Sequence, residues 1–104
     1  MLLSTIDHVP GREIAQHLGL VCGSVVSSKH LGKDFMAGMK TLVGGEIRSY
    51  TEMLEDARRI ALERLQAQAS ALGADAIVGI RLTSSSVMQS AAEVTAYGTA
   101  VKRR

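Results

Sequence analysis

The apolar positions of this chain change their spacing along its length, and the changes mark out its elements. Residues 2 to 7 (LLSTID) read as a short β-strand. Val9-Pro10-Gly11 follows as a turn, in which proline fixes φ at the second position and glycine accepts positive φ at the third. From Glu13 to Ser27 the run is rich in Val, Leu, Ile and Ser, while Gly19 and Gly23 would each weaken a helix by about 1 kcal/mol relative to alanine. That pattern predicts a long strand, bulged at a glycine. Residues 28 to 45 have helical spacing at Phe35, Met39, Leu42 and Val43, interrupted by Gly38 and closed by Gly44-Gly45, and they predict one short helix or two turns.

A longer helix is expected from Ser49 to Leu72. Ser49 and Glu52 form an S-x-x-E capping box, which would satisfy two of the N–H groups that a helix start leaves open. Tyr50, Met53, Leu54, Ala57, Ile60, Ala61, Leu65 and Leu72 recur at steps of three and four, with charged residues on the other side. Gln68 falls near the centre of this stripe and Arg64 near its edge, so both need partners where they pack. Gly73 ends the helix at the position where a left-handed residue is wanted. AIVGIRL after Asp75 reads as a strand, Thr83 to Ser90 as a polar loop, and Glu93 to Lys102 as the last strand. The order β, β, α, β, β predicts an α+β fold, a mostly antiparallel sheet with one long helix packed on it.

These strands do not alternate apolar with polar, as a sheet with one wet face should. In a regular strand Leu18, Leu20, Cys22 and Val26 share one face, while Val21 and Val25 share the other with Gly19 and Gly23. Ile77 likewise opposes Ala76, Val78 and Ile80, and Val94 and Ala96 oppose Tyr97 and Val101. One helix covers one face. The second needs another subunit or strong sheet curvature, so the pattern predicts a homo-oligomer.

Composition narrows the class of molecule without naming its chemistry. At 104 residues, with 46% hydrophobic and 21% charged residues, the chain fits one globular domain over residues 1–104. It holds no apolar run long enough for a membrane span, and its start resembles no signal peptide, so a cytoplasmic protein is expected. The net charge of +2 comes from Lys102, Arg103 and Arg104, read as a basic tail, because the rest carries nine positive against ten negative residues. With one Phe and two Tyr besides, nucleic-acid binding is not expected.

The single Cys22 excludes an intrachain disulfide and any CxxC motif. Cys22, His17 and His30 are the candidate metal ligands, with His8 at a turn and solvated. In a regular strand His17 and Cys22 point to opposite faces; a bulge could reunite them, and a symmetric ring could gather one Cys22 or histidine from each subunit. Cys22 otherwise reads as a small buried core residue, and Met36, Met39, Met53 and Met88 as core packing rather than copper ligands. No nucleophile motif or phosphate loop is present, Gly44-Gly45 reads as an ordinary turn, and Asp34 and Asp75 read as isolated capping carboxylates.

DFMAGMKTLVGGEIRSY, Ala57-Arg58, ALGADAIVGI at residues 71 to 80 and GTAVK at 98 to 102 together resemble the YbjQ-like family of bacterial and archaeal proteins. The likeness covers nearly the whole chain and includes Gly19, Gly23, Asp34, Gly44, Gly45, Tyr50, Gly73, Asp75 and Gly79, which are expected to shape the fold or an interface. It departs from the family pattern at Ser24, Ser28 and His30. The resemblance implies a ring-like homopentamer of subunits similar to those of dodecin, and a domain labelled "putative heavy-metal-binding" whose biochemical role is not established. No Cys or His cluster falls on the matching positions. Dodecins stack flavin on tryptophan, and this chain has none, so no flavin is expected. The reading is a non-enzymatic oligomeric binding or scaffold module, holding a metal ion or small ligand at subunit interfaces, with no catalytic residue assigned. The alternative is an enzyme whose site forms only between subunits, for example from Asp34, Tyr50 and His30.

Overall fold

The computed structural model describes residues 1–28, 43–89 and 91–104, with the backbone alone for 43–49. The short helix expected within 28 to 45 falls mostly outside the described residues, as do His30, Asp34, Met36 and Met39. The elements are β1 (Leu2–Leu3), β2 (Ile14–Ser28), α1 (Val43–Ala71), β3 (Ala76–Met88) and β4 (Ala91–Arg103). They form a four-stranded sheet in the order β1-β3-β4-β2, with α1 packed on one face. The short β1 runs parallel to β3 and the other pairs are antiparallel, so the sheet is mixed. The Pro10-Gly11 turn forms as expected, with Arg12 N–H donating to the Val9 carbonyl at 3.0 Å and Gly11 at φ +77°.

Three boundaries differ from the sequence expectation, the first being β1, which ends at Leu3 rather than running to Asp7. The stretch from Thr83 is not a loop: β3 continues through Met88, with Ser84, Ser85 and Ser86 opposite Val94, Glu93 and Ala92. Residues 81–89 are all exposed, so their polarity reports a ribbon wet on both sides rather than a break in the strand. The helix begins at Val43, which places Ser49 inside it and removes the proposed capping box. Gly44 and Gly45 lie in its first turn instead of closing a preceding element. A glycine costs a helix only about 1 kcal/mol, too little to stop one that tertiary contacts extend. The other end is as expected: Ala74 N–H donates to the Ala69 carbonyl at 3.1 Å and Gly73 N–H to that of Ser70 at 2.9 Å, with Gly73 at φ +82°. Gly73→Ala should lower stability by about 1–2 kcal/mol through backbone strain alone. The nearest atom to an added Cβ would be Lys102 Cε at 3.7 Å, so crowding contributes nothing. A chemical-denaturation midpoint unchanged by this substitution would contradict the account.

The regular alternation assumed for the strands fails at two glycines. The register slips between His17 and Gly19, where Gly19 has φ +116°, and this bulge turns Leu18 toward α1 with Val21 and Val25. A second slip between Val78 and Arg81, around Gly79, moves Ile80 to the side of Ile77. The helix-side core is therefore Val21, Ile77, Ile80, Val94, Ala96 and Ala100 under Ala57, Ala61, Leu65 and Ala69. Leu72 does not belong to the stripe; it is exposed, and Ala69 takes the buried position.

On the opposite face Val9 and Ile14 pack on Ala76, Val78 and Val101, so the chain's own N-terminal segment covers part of the second apolar surface. A strip beyond it stays uncovered among the described residues. The two polar residues on the α1 stripe find their partners on β2, an outer strand of the sheet. Gln68 Oε1 accepts the Cys22 N–H at 2.7 Å, and Arg64 Nη1 donates to the Ser24 carbonyl at 2.6 Å, which blunts that edge against further pairing.

Candidate functional site

Two surface features formed by the described residues bear on function once the core is assembled. The first is the strip on the sheet face away from α1. The β2 bulge resets the alternation so that Leu20, Cys22, Ser24 and Val26 lie opposite Thr99, Tyr97, Thr95 and Glu93. Leu20 is 72% and Val26 60% exposed, and Tyr97 and Cys22 between them are exposed as well. The strip has one internal polar tie, Ser24 Oγ to Thr95 Oγ1 at 2.9 Å.

The second feature is a groove. Because α1 lies over β2 and β4, the helix-facing side of β3 beyond Ile80 has no cover among the described residues. There Leu54 and Arg58 of α1, Leu82, Thr83 and Ser84 of β3, and Val94 of β4 enclose about 300 Å³. Val94 forms a buried floor and Leu82 and Arg58 an exposed rim. This groove was not legible beforehand, because reading Thr83 to Ser90 as a loop removed one of its walls.

Of the expected metal ligands, His30 lies outside the described residues, and Cys22 and His17 do not come together. Cys22 is exposed rather than buried, which corrects its reading as a core residue. The bulge does place His17 and Cys22 on one face. Their β4 partners, Val101 and Tyr97, are four residues apart, however, or about 13 Å along a strand. A shared ion needs both ligands within about 2.3 Å of itself. Among the described residues no group of three or more His, Cys, Asp or Glu could hold a metal, so those residues of one chain do not by themselves fit a heavy-metal site. Asp75 is committed to structure: its Oδ1 accepts the Arg103 N–H at 2.9 Å and lies 3.8 Å from Arg103 Nε. Tyr50 is half-buried on α1. Of the three terminal cations, Lys102 and Arg103 belong to β4, and Arg104 Nε pairs with Glu13 at 3.0 Å. Asp7 sits apart from both features; the hydrogen bond from His8 at 2.9 Å holds its carboxyl below the usual carboxylate range. No helix among the described residues is long and apolar enough to cross a membrane.

The YbjQ-like family model, described as "Putative heavy-metal-binding", matches residues 1–104. The chain belongs to the YbjQ-like family. Similar proteins include the UPF0145 protein of Fervidobacterium nodosum, 62% identical over 104 residues, covering 100% of this chain and 96% of the relative. The UPF0145 protein of Pseudothermotoga lettingae is 65% identical over 102 residues, covering 98% and 96%. Among solved structures, a protein of unknown function in the DUF74 family from Pediococcus pentosaceus superimposes with a TM-score of 0.58 at 18% identity, covering 100% of this chain and 98% of that one. At that identity the likeness speaks for the fold alone. For this YbjQ-like chain, then, the family's metal description meets a ligand set that the described residues of one chain do not bring together.

Proposed function

We propose that this YbjQ-like chain is one domain that works as a non-enzymatic, oligomeric binding or scaffold module of the cytoplasm, built as a homopentameric ring of dodecin-like subunits that hold a small ligand at or near their interfaces. The observation that carries this reading is the uncovered strip of Leu20, Val26 and Tyr97, apolar surface that gains by leaving water. The subunit's shape supports it. Its radius of gyration is 16.9 Å, where about 13 Å suffices for a compact chain of this length, so much of the sheet projects without packing against the other described residues. Ring size rests on the family resemblance. Metal enters this reading only through the ring: several copies of Cys22, exposed on the strip, would have to supply the thiolates that one subunit lacks.

Native mass spectrometry on protein purified without a metal-affinity tag tests the proposal. The expected mass is five times the 11.1 kDa subunit, any excess identifying cargo. Leu20→Asp should collapse it to the subunit mass while leaving the circular-dichroism spectrum intact. A wild-type monomer would overturn the reading.

A further inference from the structure

The two outer edges of the sheet are treated differently. Arg64 and Gln68 cap the β2 edge. On the other side, β1 and the segment after it protect β3 only as far as Ile80, through Ser4 N–H to the Ile77 carbonyl at 2.9 Å, Gly79 N–H to that of Ile6 at 2.8 Å and Ile80 N–H to that of Ser4 at 3.0 Å. From Arg81 to Met88 the strand pairs with β4 on one side and with nothing described on the other. This stretch has no proline, one charged residue, and exposed Leu82, Val87 and Met88, so its only edge-closing device is the irregularity between Ser86 and Met88, which leaves Arg81–Ser86 open among the described residues. The 300 Å³ groove opens along it. Of the α1 arginines with described side chains, Arg59 pairs with Asp56 and Glu63, Arg64 holds the Ser24 carbonyl, and Arg58 has no partner among the described residues.

We propose that the Arg81–Met88 edge takes up an extended peptide segment of another protein, which adds as a fifth strand, seats an apolar side chain over Leu54, Leu82 and Val94, and offers a carboxylate to Arg58. Strand addition supplies affinity through main-chain hydrogen bonds, and alternate side chains facing the groove supply specificity. The guanidinium at the rim selects acid over amide, because a charge-assisted pair is the stronger one. A second copy of this chain is the poorer occupant. Its β2 edge is capped, and its own Arg81–Met88 stretch contains no carboxylate to answer Arg58. This inference deepens the binding-module reading by naming the class of ligand.

The probe is an acetylated, fluorescein-labelled hexapeptide, Thr-Val-Thr-Asp-Thr-Val, whose Val and Asp side chains share one face of an extended strand, and the same peptide with Asn for Asp, titrated by anisotropy into the full chain in its native assembly. The Asp peptide should bind about tenfold more tightly. Arg58→Gln should erase that difference while leaving affinity for the Asn peptide unchanged, and hydrogen exchange at Arg81–Met88 should slow on binding. No binding of either peptide, equal binding of both, or exchange at Arg81–Met88 already slow and released only when the assembly is diluted apart, as a second copy on the edge requires, would each overturn the proposal. Assembly mass is recorded on the same samples. A pentamer indifferent to peptide defeats this inference alone, and a monomer that binds the Asp peptide defeats the ring alone.

Discussion

Gly23→Ala should cost about 3 kcal/mol of folding stability, the upper end of what overpacking does. A Cβ at this position would run into the Ala61 carbonyl oxygen and the Leu65 nitrogen and come within 2.8 Å of Arg64 Cβ. Two of these three atoms are helix backbone, which cannot swing aside as the tip of a side chain can. The only relief is for α1 to lift away from β2, and that also draws Arg64 off the Ser24 carbonyl and Gln68 off the Cys22 N–H. One methyl group therefore strains the helix–sheet seat and uncaps an edge strand together. Gly98→Ala is the informative comparison. Its Cβ would meet Ile77 Cγ2 at 2.9 Å, the Val78 carbonyl at 2.9 Å and Ile80 Cγ1 at 3.1 Å, so two of its three obstacles are side chains able to yield in part. Urea titration of both variants should rank Gly23→Ala below Gly98→Ala. A Gly23→Ala protein as stable as the parent would mean that α1 is not seated this closely.

Why some of this was legible in the sequence and some was not follows from the range of each interaction. The Pro10-Gly11 turn and the Gly73 helix end depend on the conformation of one or two residues, and the residue types state it directly. The element order and the long α1 stripe depend on periodicity, which survives local irregularity. Strand faces depend on a parity count, and one extra residue inverts everything beyond it. Leu18 and Ile80 were misplaced for that reason, and the separation of His17 from Cys22 rested on the same count. A glycine within a strand signals such a slip, without saying whether the strand uses it: Gly19 marks a bulge, whereas Gly23 sits in regular register because the helix needs the room. The groove was least legible. Its walls come from α1, β3 and β4, and Thr83 to Met88 has the composition of a loop because it is a strand exposed on both faces.

The helix stripe makes the second large prediction, and its two leucines separate periodicity from packing. Leu65 is fully buried between Ala61 and Ala69 against the β2 and β4 core, while Leu72 is 47% exposed beyond the last buried turn. Helical spacing alone treats them alike. Leu65→Ala removes the one large fully buried side chain that the described residues of α1 send into the core. Its buried neighbours on α1, Ala57, Ala61 and Ala69, are too short to close over the space. The expected loss is about 2–5 kcal/mol, transfer cost plus cavity, and a small domain rarely holds much more than that in reserve. Leu72→Ala should change stability by no more than about 0.5 kcal/mol, as for other surface positions. Because α1 also carries Arg58 and both caps of the β2 edge, Leu65→Ala should loosen the groove and that edge at once, visible as faster hydrogen exchange along β2 well below the global unfolding midpoint. Equal losses from the two substitutions would show that the helix is rotated or shifted from this register, and with it the seat of Gly23 and the position of Arg58 over the groove.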